Sequence, residues 1–462
     1  MTVTKKRARR SAAAGLERRL VREGLSADLS TDGPAGEQTR SYAAAVYGLE
    51  AVEIRRIGGG SFSRAFRPEA TPPQSAEPDE ALARIIERAA VRALYALGHD
   101  QGQVTVDVGG NGRATVRSVS GTPHPLTEEG ERRLAEAAAR RAELLAAESR
   151  RPPAATLGAD PEFVLLTQDG RVVPASRYFP PGAAAGSDSV VVRGVRRWPL
   201  AELRPDPAPE PAALTAALRR LLARASRRVG DAPFIWRAGA LPVPGLPLGG
   251  HIHLSGVAPT PERLRALDNA VALPLRLLEP PGAARRRPRY GALGDFRRKA
   301  HGGFEYRTPP SWLVSPTLAC GVLALAKIAA EAPARIALPL DDDRVREAFY
   351  GGGGKDKSGR EKKAEERGGT IGETGPTREA ETGGDRGADE KRGTDAHGRT
   401  DGNRGTGRDI LLIAVREVMQ SVRRTEGYAR YGRWIEPLFR AIEEGKTWDE
   451  SIDLRDRWRV RG

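Results

Sequence analysis

Apolar positions recur along this chain with two periods, and the changes of period mark its organisation. Between positions 79 and 98, Leu82, Ile85, Ile86, Ala89, Ala93 and Leu97 repeat at helical spacing, with Asp79 placed to cap the start and Gly98 the end. A longer Ala/Glu/Arg helix is predicted over 128–149. Around these helices the period falls to two. Residues 42–67 alternate about Gly58, Gly59 and Gly60, and 105–116 reads TVDV-GGNG-RATV, so each stretch predicts a hairpin with a glycine turn. The Gly58–Gly60 run lacks the Lys-Ser/Thr and the helix signal of a phosphate loop, which favours the turn. Residues 41–150 thus read as a small accessory α+β region, closed by Arg151-Pro152-Pro153.

Over 155–345 short apolar runs of strand character alternate with helices. The stretch 211–229 places Leu214, Leu218, Leu221 and Leu222 on one stripe, Thr260-Pro261 opens a helix carrying Leu264, Leu267 and Val271, and Ser315-Pro316 starts a nearly all-apolar helix. Such helices suit the outer face of a sheet, and Cys320 and Trp312 read as core residues. Residues 351–408 are Gly, Glu, Lys, Arg, Asp and Thr with almost no apolar side chains, so they cannot offset the entropy of ordering and read as a disordered insert. Residues 409–462 hold two short amphipathic helices, DILLIAVREVM and GRWIEPLFRAIEEG, whose apolar faces need the catalytic region as partner. Residues 1–40 are polar and basic and read as an arm with little stable structure.

Composition narrows the classes. A chain of 462 residues, 39% hydrophobic, can bury a substantial core. Its one cysteine, Cys320, excludes an internal disulfide framework and a cysteine-based zinc site, which fits a reducing cytoplasm. The basic N-terminus lacks the apolar core of a signal peptide, and no stretch approaches the roughly 20 apolar residues of a membrane helix. A net charge of +15 would suit nucleic acid, but the arginines are spread along the whole chain and aromatic residues are only 5%, which argues against that partner.

The candidate chemistry lies between 158 and 312, where four short runs each place two chemically capable residues at i and i+2, on the same face of a strand. GADPEFVLL pairs Asp160 with Glu162, a carboxylate pair that repels unless a cation holds it, as Mg2+ would. PLAELRPDP pairs Glu202 with Arg204, and LGGHIHLSG pairs His251 with His253, imidazoles suited to metal or phosphate. GGFEYRTPPSWL pairs Glu305 with Arg307, and the preceding PRYGALGDFRRKAHGG adds Arg289, Tyr290, Arg297 and Lys299 in a flexible cationic stretch able to close over a polyphosphate. Each run alone has a plain reading: a surface His pair, a cross-strand salt bridge, a turn into a strand. Together on one sheet they would make a costly face without a bound cation and polyanion.

The order DPEF, ELRP, GGHIH, EYRTPPSW resembles the amidoligases of phages and bacteria, a COOH-NH2 ligase type 2 family sharing the catalytic fold of glutamine synthetase and glutamate-cysteine ligase. The resemblance covers about 185 residues and implies an α+β fold in which a curved antiparallel sheet forms a funnel with helices outside. It implies that Asp160, Glu162, Glu202, His251 and Glu305 hold metal, that His253 faces phosphates, and that Arg307 stabilises the phosphoryl group in flight beside Glu305. Arg289, Arg297 and Lys299 match basic positions of the preceding loop, and Arg204 adds a fixed guanidinium on the nucleotide. The leading Asp160 stands where glutamine synthetase has Glu. The implied reaction is ATP- and Mg2+-dependent, or Mn2+-dependent, joining a small-molecule or peptide carboxylate to an amine through an acyl phosphate. Two other readings share these residues: a two-metal hydrolase, which needs no nucleotide, and an inactive ligase-fold scaffold.

Overall fold

In the computed structural model, residues 3–29, 39–57, 78–192, 194–300, 302–351 and 406–461 are described. Where the sequence predicts an arm, Val3–Arg22 form helix α1, and Leu20 near its end is fully buried. Strands β1 (Arg40–Tyr47) and β2 (Glu50–Ile57) pair as a hairpin that turns at Gly48-Leu49, and the Gly58–Gly60 run that the alternation marks as a turn lies outside the described residues. Gly48 supplies the φ of 64° that a two-residue reversal needs, and Leu49 beside it is buried. Helix α2 (Glu80–Leu97) has the predicted ends: the Asp79 side chain accepts from the Leu82 backbone N–H, and Gly98 takes a φ of 82°.

Strands β3 (Gln101–Val108) and β4 (Ala114–Ser120) form the second predicted hairpin and complete an antiparallel sheet of order β2-β1-β3-β4. The buried stripe of α2, including Ile86, Ala90, Ala93 and Leu94, packs on this sheet. Helix α3 (Glu128–Arg150), capped by Thr127, follows and is largely exposed.

The second sheet is a strongly curled antiparallel half-barrel. Its strands are β5 (Thr156–Leu166), β6 (Val172–Val173), β7 (Ala185–Val192), β8 (Val195–Leu203), β9 (Ile235–Arg237), β10 (Gly250–Ser255), β11 (Phe296–Arg298) and β12 (Phe304–Tyr306). The order is β11-β12-β10-β5-β8-β7, with β6 and β9 both pairing β5. Strand alternation sorts the side chains: Ala159, Phe163, Leu165, Ile252, Leu254, Phe304 and Tyr306 enter the core, while Asp160, Glu162, His251, His253 and Glu305 take the other face. Phe163 stacks on Trp236 at 5.1 Å between ring centres, fixing the core face of β5.

Helices α4 (Pro211–Val229), α5 (Pro261–Leu267), α6 (Leu273–Leu278), α7 (Pro316–Glu331) and α8 (Asp343–Tyr350) follow in chain order, with one π turn at Asp268–Ala272 between α5 and α6. Thr260 and Ser315 cap α5 and α7 through their side chains, as their positions before proline predict. Cys320 and Trp312 are buried. Helices α9 (Gly407–Arg423) and α10 (Glu426–Glu443) then return to this core, followed by the short α11 (Leu454–Trp458). α10 presses on α7 so closely that a Cβ on Gly321 would lie 2.5 Å from Leu438, so only glycine fits there. α8 and α9 meet as well: a Cβ on Gly407 would stand 3.8 Å from that of Ala348. Of the predicted 351–408 insert, 352–405 lies outside the described residues, and its last residues start α9 through a Thr406–Asp409 capping box.

The N-terminal sheet and the half-barrel are not separate bodies with separate cores. Leu20, Ile86 and Val104 belong to the same buried cluster as Leu157, Ile252 and Leu323. At the junction the Tyr95 hydroxyl of α2 donates to Asp268 Oδ2 at 2.7 Å, and Tyr306 of β12 donates to Oδ1 at 2.7 Å.

Candidate active site

The register of the half-barrel brings the four sequence pairs onto one surface. His251 stands opposite Asp160 across β10 and β5, Glu162 opposite Glu202 across β5 and β8, and His253 opposite Glu305 across β10 and β12. Arg297 on β11 is opposite Glu305 as well. These residues arrive from strands distant in sequence, so the i, i+2 spacing in each run is what gives every strand the same facing side.

They line a cleft of about 1170 Å³. Asp160, Glu162, Glu202, Arg204, His251, Arg289, Arg297, Lys299, Glu305 and Arg307 all contribute to its wall. His253 is the predicted site residue that does not; its Nε2 lies 2.9 Å from Asp160 Oδ2 instead. His251 Nδ1 is 3.1 Å from Asp160 Oδ1 and 3.5 Å from Glu305 Oε1. The Glu162 carboxylate accepts from the Gly249 backbone N–H at 2.6 Å, and glycines precede the histidines because a Cβ at Gly249 would lie 2.6 Å from the His251 ring and one at Gly250 2.2 Å from the Pro310 carbonyl oxygen.

Charge is unevenly distributed along the cleft. Toward β8 lie Asp160, Glu162, Asp188 and Glu202, with Arg204 paired to Glu202 and donating to the Ala183 carbonyl at 3.1 Å. Toward β11 three cations surround Glu305: Lys299 Nζ at 2.6 Å, Arg297 Nη1 at 3.4 Å, and Arg307, which pairs with the other oxygen. Burial pushes the Glu162 carboxyl up to about 7. Burial and then the Asp160 charge push Glu202 up to about 9, with Arg204 opposing. Burial also works against ionisation of Asp160, but hydrogen bonding to His251 and His253 outweighs it and holds that carboxyl below its usual range. Glu305 is likewise held low, because Lys299 and Arg307 overcome its desolvation.

The loop carrying Arg289 is less free than its glycines predict. Arg287 makes a two-pronged ion pair to Glu279 at 2.6 and 2.8 Å with both side chains fully buried, and Leu293 N–H donates to the Tyr350 hydroxyl at 3.0 Å. The beginning of the cationic stretch is therefore anchored, and Arg286 beside it is buried against the cleft, its pKa lowered to about 10 by burial and by Arg287.

A family model described as phage phiEco32-like COOH.NH2 ligase-type 2 matches residues 157–364 and 404–460, more than half of the chain. The chain belongs to this family. None of the curated proteins matches it. The COOH.NH2 ligase match begins at β5, spans every strand of the half-barrel, and resumes with α9 and α10, so the two C-terminal helices are part of the ligase region. The positions it skips, 365–403, fall within the predicted insert.

Some residues of the ligase cleft carried no signal in the sequence. Arg88 comes from α2, outside the matched region, and Asp188 from β7. Arg84, Arg88 and Arg92 do recur every four residues along α2, but such a row reads as an ordinary solvated helix face until the fold shows what lies opposite. Asp188 stands alone in a polar run, with no partner two positions away to mark it.

Among the described residues, two groups of donors have atoms within 4.8 Å of one another: Asp160 with His253 and Glu305, and Asp160 with Glu202 and His251. The buried Asp160 Oδ1 faces His251 Nδ1 at 3.1 Å and has no other partner among the described residues. A carboxylate held among imidazoles and further carboxylates is a donor set suited to a hard divalent cation.

Proposed function

We propose that this chain is an ATP- and Mg2+-dependent carboxylate–amine ligase that forms an amide through an acyl phosphate, on a glutamine-synthetase-like catalytic fold. What supports the reading is the convergence of four acids and two imidazoles on one face of a curled antiparallel sheet, with a cluster of cations at one end. The two donor groups that share Asp160 fit a divalent ion. Asp160, Glu162, Glu202, His251 and Glu305 would hold Mg2+, or Mn2+ in its place. When bound, the metal supplies positive charge against the oxygens of the transferring phosphoryl group.

The protein's own residues do the rest. Arg307 and Lys299 are pre-placed beside Glu305, so they meet developing phosphoryl charge without reorganisation. Arg297 and Arg289 bind the polyphosphate, His253 steadies Asp160 from outside the cleft wall, and Arg204, fixed by Glu202 and the Ala183 carbonyl, orients an anionic group at the far end. The carboxylate substrate attacks the γ-phosphorus, the bond to the bridging oxygen breaks, and ADP leaves. The amine then attacks the acyl carbon, phosphate departs, and the amine's proton passes to a neighbouring base. Small amino acids, peptides and amines are the substrate classes this chemistry accepts. The fold carries no described helix long and apolar enough to cross a membrane.

The test is ADP release by the full chain with ATP and Mg2+ over a panel of amino acids and amines, beside Glu305→Ala and Arg307→Ala. Turnover requiring both a carboxylate and an amine, lost in both variants, is expected. Metal-dependent hydrolysis without ATP would replace this reading with the hydrolase.

A further inference from the structure

Beside Glu305 the cleft opens into a second cavity of about 510 Å³, between α2 and β11. That volume lies within the ~300–1,000 Å³ range of small-molecule sites. The two spaces share Arg88, Asp295, Arg297 and Arg307, so they are compartments of one site. Their characters differ. The main cleft near Glu305 is cationic, whereas the side cavity has an apolar wall of Leu49, Val91, Tyr95, Leu293 and Phe296, rimmed by Glu50, Glu87 and Arg298, the last with its guanidinium 5.9 Å from the Phe296 ring centre.

At the junction most guanidinium groups are already engaged. Arg297 and Arg307 pair with Glu305, Arg92 donates to the Glu23 carbonyl at 2.8 Å, and Arg84 pairs with Glu80. Arg88 is exposed and, among the described residues, makes no hydrogen bond or ion pair, yet it lines both compartments. A ligand spanning them needs an anionic portion at the Arg88–Arg297–Arg307 junction and a flat apolar portion beyond. A nucleoside triphosphate has that build. The three cations clustered about Glu305 favour the β11 end of the cleft for its phosphates.

We propose that the side cavity receives the base and ribose of the nucleotide, with Phe296 as an apolar platform and Arg88 as a contact to the phosphate chain. The N-terminal region, outside the residues matched by the ligase family, then completes the nucleotide site. The proposal rests on the ligase reading and specifies where its nucleotide lies.

Calorimetric titration of the full chain in Mg2+ compares a non-hydrolysable ATP analogue with inorganic tripolyphosphate, in the wild type, Phe296→Ala and Arg88→Ala. Arg88 is exposed, so its loss leaves the fold intact; far-ultraviolet circular dichroism checks the Phe296 variant. The wild type should prefer the nucleotide by about tenfold or more. Phe296→Ala should erase that preference without changing tripolyphosphate affinity, and Arg88→Ala should weaken both ligands by about tenfold. Equal binding of the two probes by the wild type, or a preference that survives Phe296→Ala, overturns the side-cavity assignment alone. A change confined to amino-acid affinity in Phe296→Ala overturns it in favour of an acceptor pocket. Binding of neither probe removes both readings, whereas a Phe296-dependent preference in a chain that never releases ADP keeps the cavity and removes the ligase.

Discussion

Glu162 and Glu202 stand directly opposite each other on antiparallel neighbours β5 and β8, both buried, with only one of them paired to an arginine. Like charges in that position destabilise a sheet, and desolvation adds to the penalty. Without a cation both retain protons: burial pushes Glu162 up to about 7, and burial, then the charge of Asp160 and to a smaller extent that of Glu162, pushes Glu202 up to about 9.

Mg2+ binding should therefore release protons, and its affinity should rise with pH between about 6 and 9. Titration at pH 7 in buffers of different ionisation enthalpy measures the released protons directly. A binding heat independent of the buffer would sink this prediction.

The same two groups set the pH dependence of stability without metal. Their folded-state pKa values lie above those of the unfolded chain, so the native state holds more protons across that window, and stability falls as pH rises from about 5 to 9. Thermal melts across this range should decline without Mg2+ and flatten with it. Replacing Glu202 by Gln should flatten the metal-free decline.

Arg307→Lys keeps a charge beside Glu305 but loses the planar fork. The expected effect is on the order of a hundredfold lower kcat, about 2.7 kcal/mol, measured as ADP release at saturating ATP. A variant as fast as the parent would remove Arg307 from the phosphoryl-transfer step.

Arg287→Met leaves Glu279 as a fully buried charge without its partner. A loss of about 3–5 kcal/mol is expected from the denaturant midpoint, and Glu279→Gln in the same chain should recover part of it. Full stability in the single variant would mean that the loop carrying Arg286 and Arg289 is not held by this pair.

Tyr95→Phe removes one of the donors to buried Asp268, and with it a tie, bridged by Asp268, between α2 and the strand that carries Glu305. The cost should be about 1–3 kcal/mol. Hydrogen exchange should quicken at both α2 and β12, since they share one core; quickening confined to α2 would count against that coupling.

The chemistry of the cleft was legible in the sequence because strand alternation is rigid: Asp160 and Glu162, or His251 and His253, must face one way whatever the topology. Which strand lies beside which was not legible. That His253 meets Asp160 and Glu305 follows from β10 lying between β5 and β12, a long-range pairing that no local period encodes. Arg88 was hidden for the related reason that a helix face shows its partner only after docking. The turn at Gly48-Leu49 was not legible because three glycines outweigh one in a pattern, whereas burial of Leu49 shows only in the fold.

The contact between Ala348 and Gly407 bears on how the gene can be edited. Because the ends of α8 and α9 already touch, whatever chain runs from one to the other pays a closure cost that grows only slowly with length. A short glycine–serine bridge in place of residues 365–403, the positions the family match skips, is therefore expected to leave the melting temperature of the ligase scaffold unchanged.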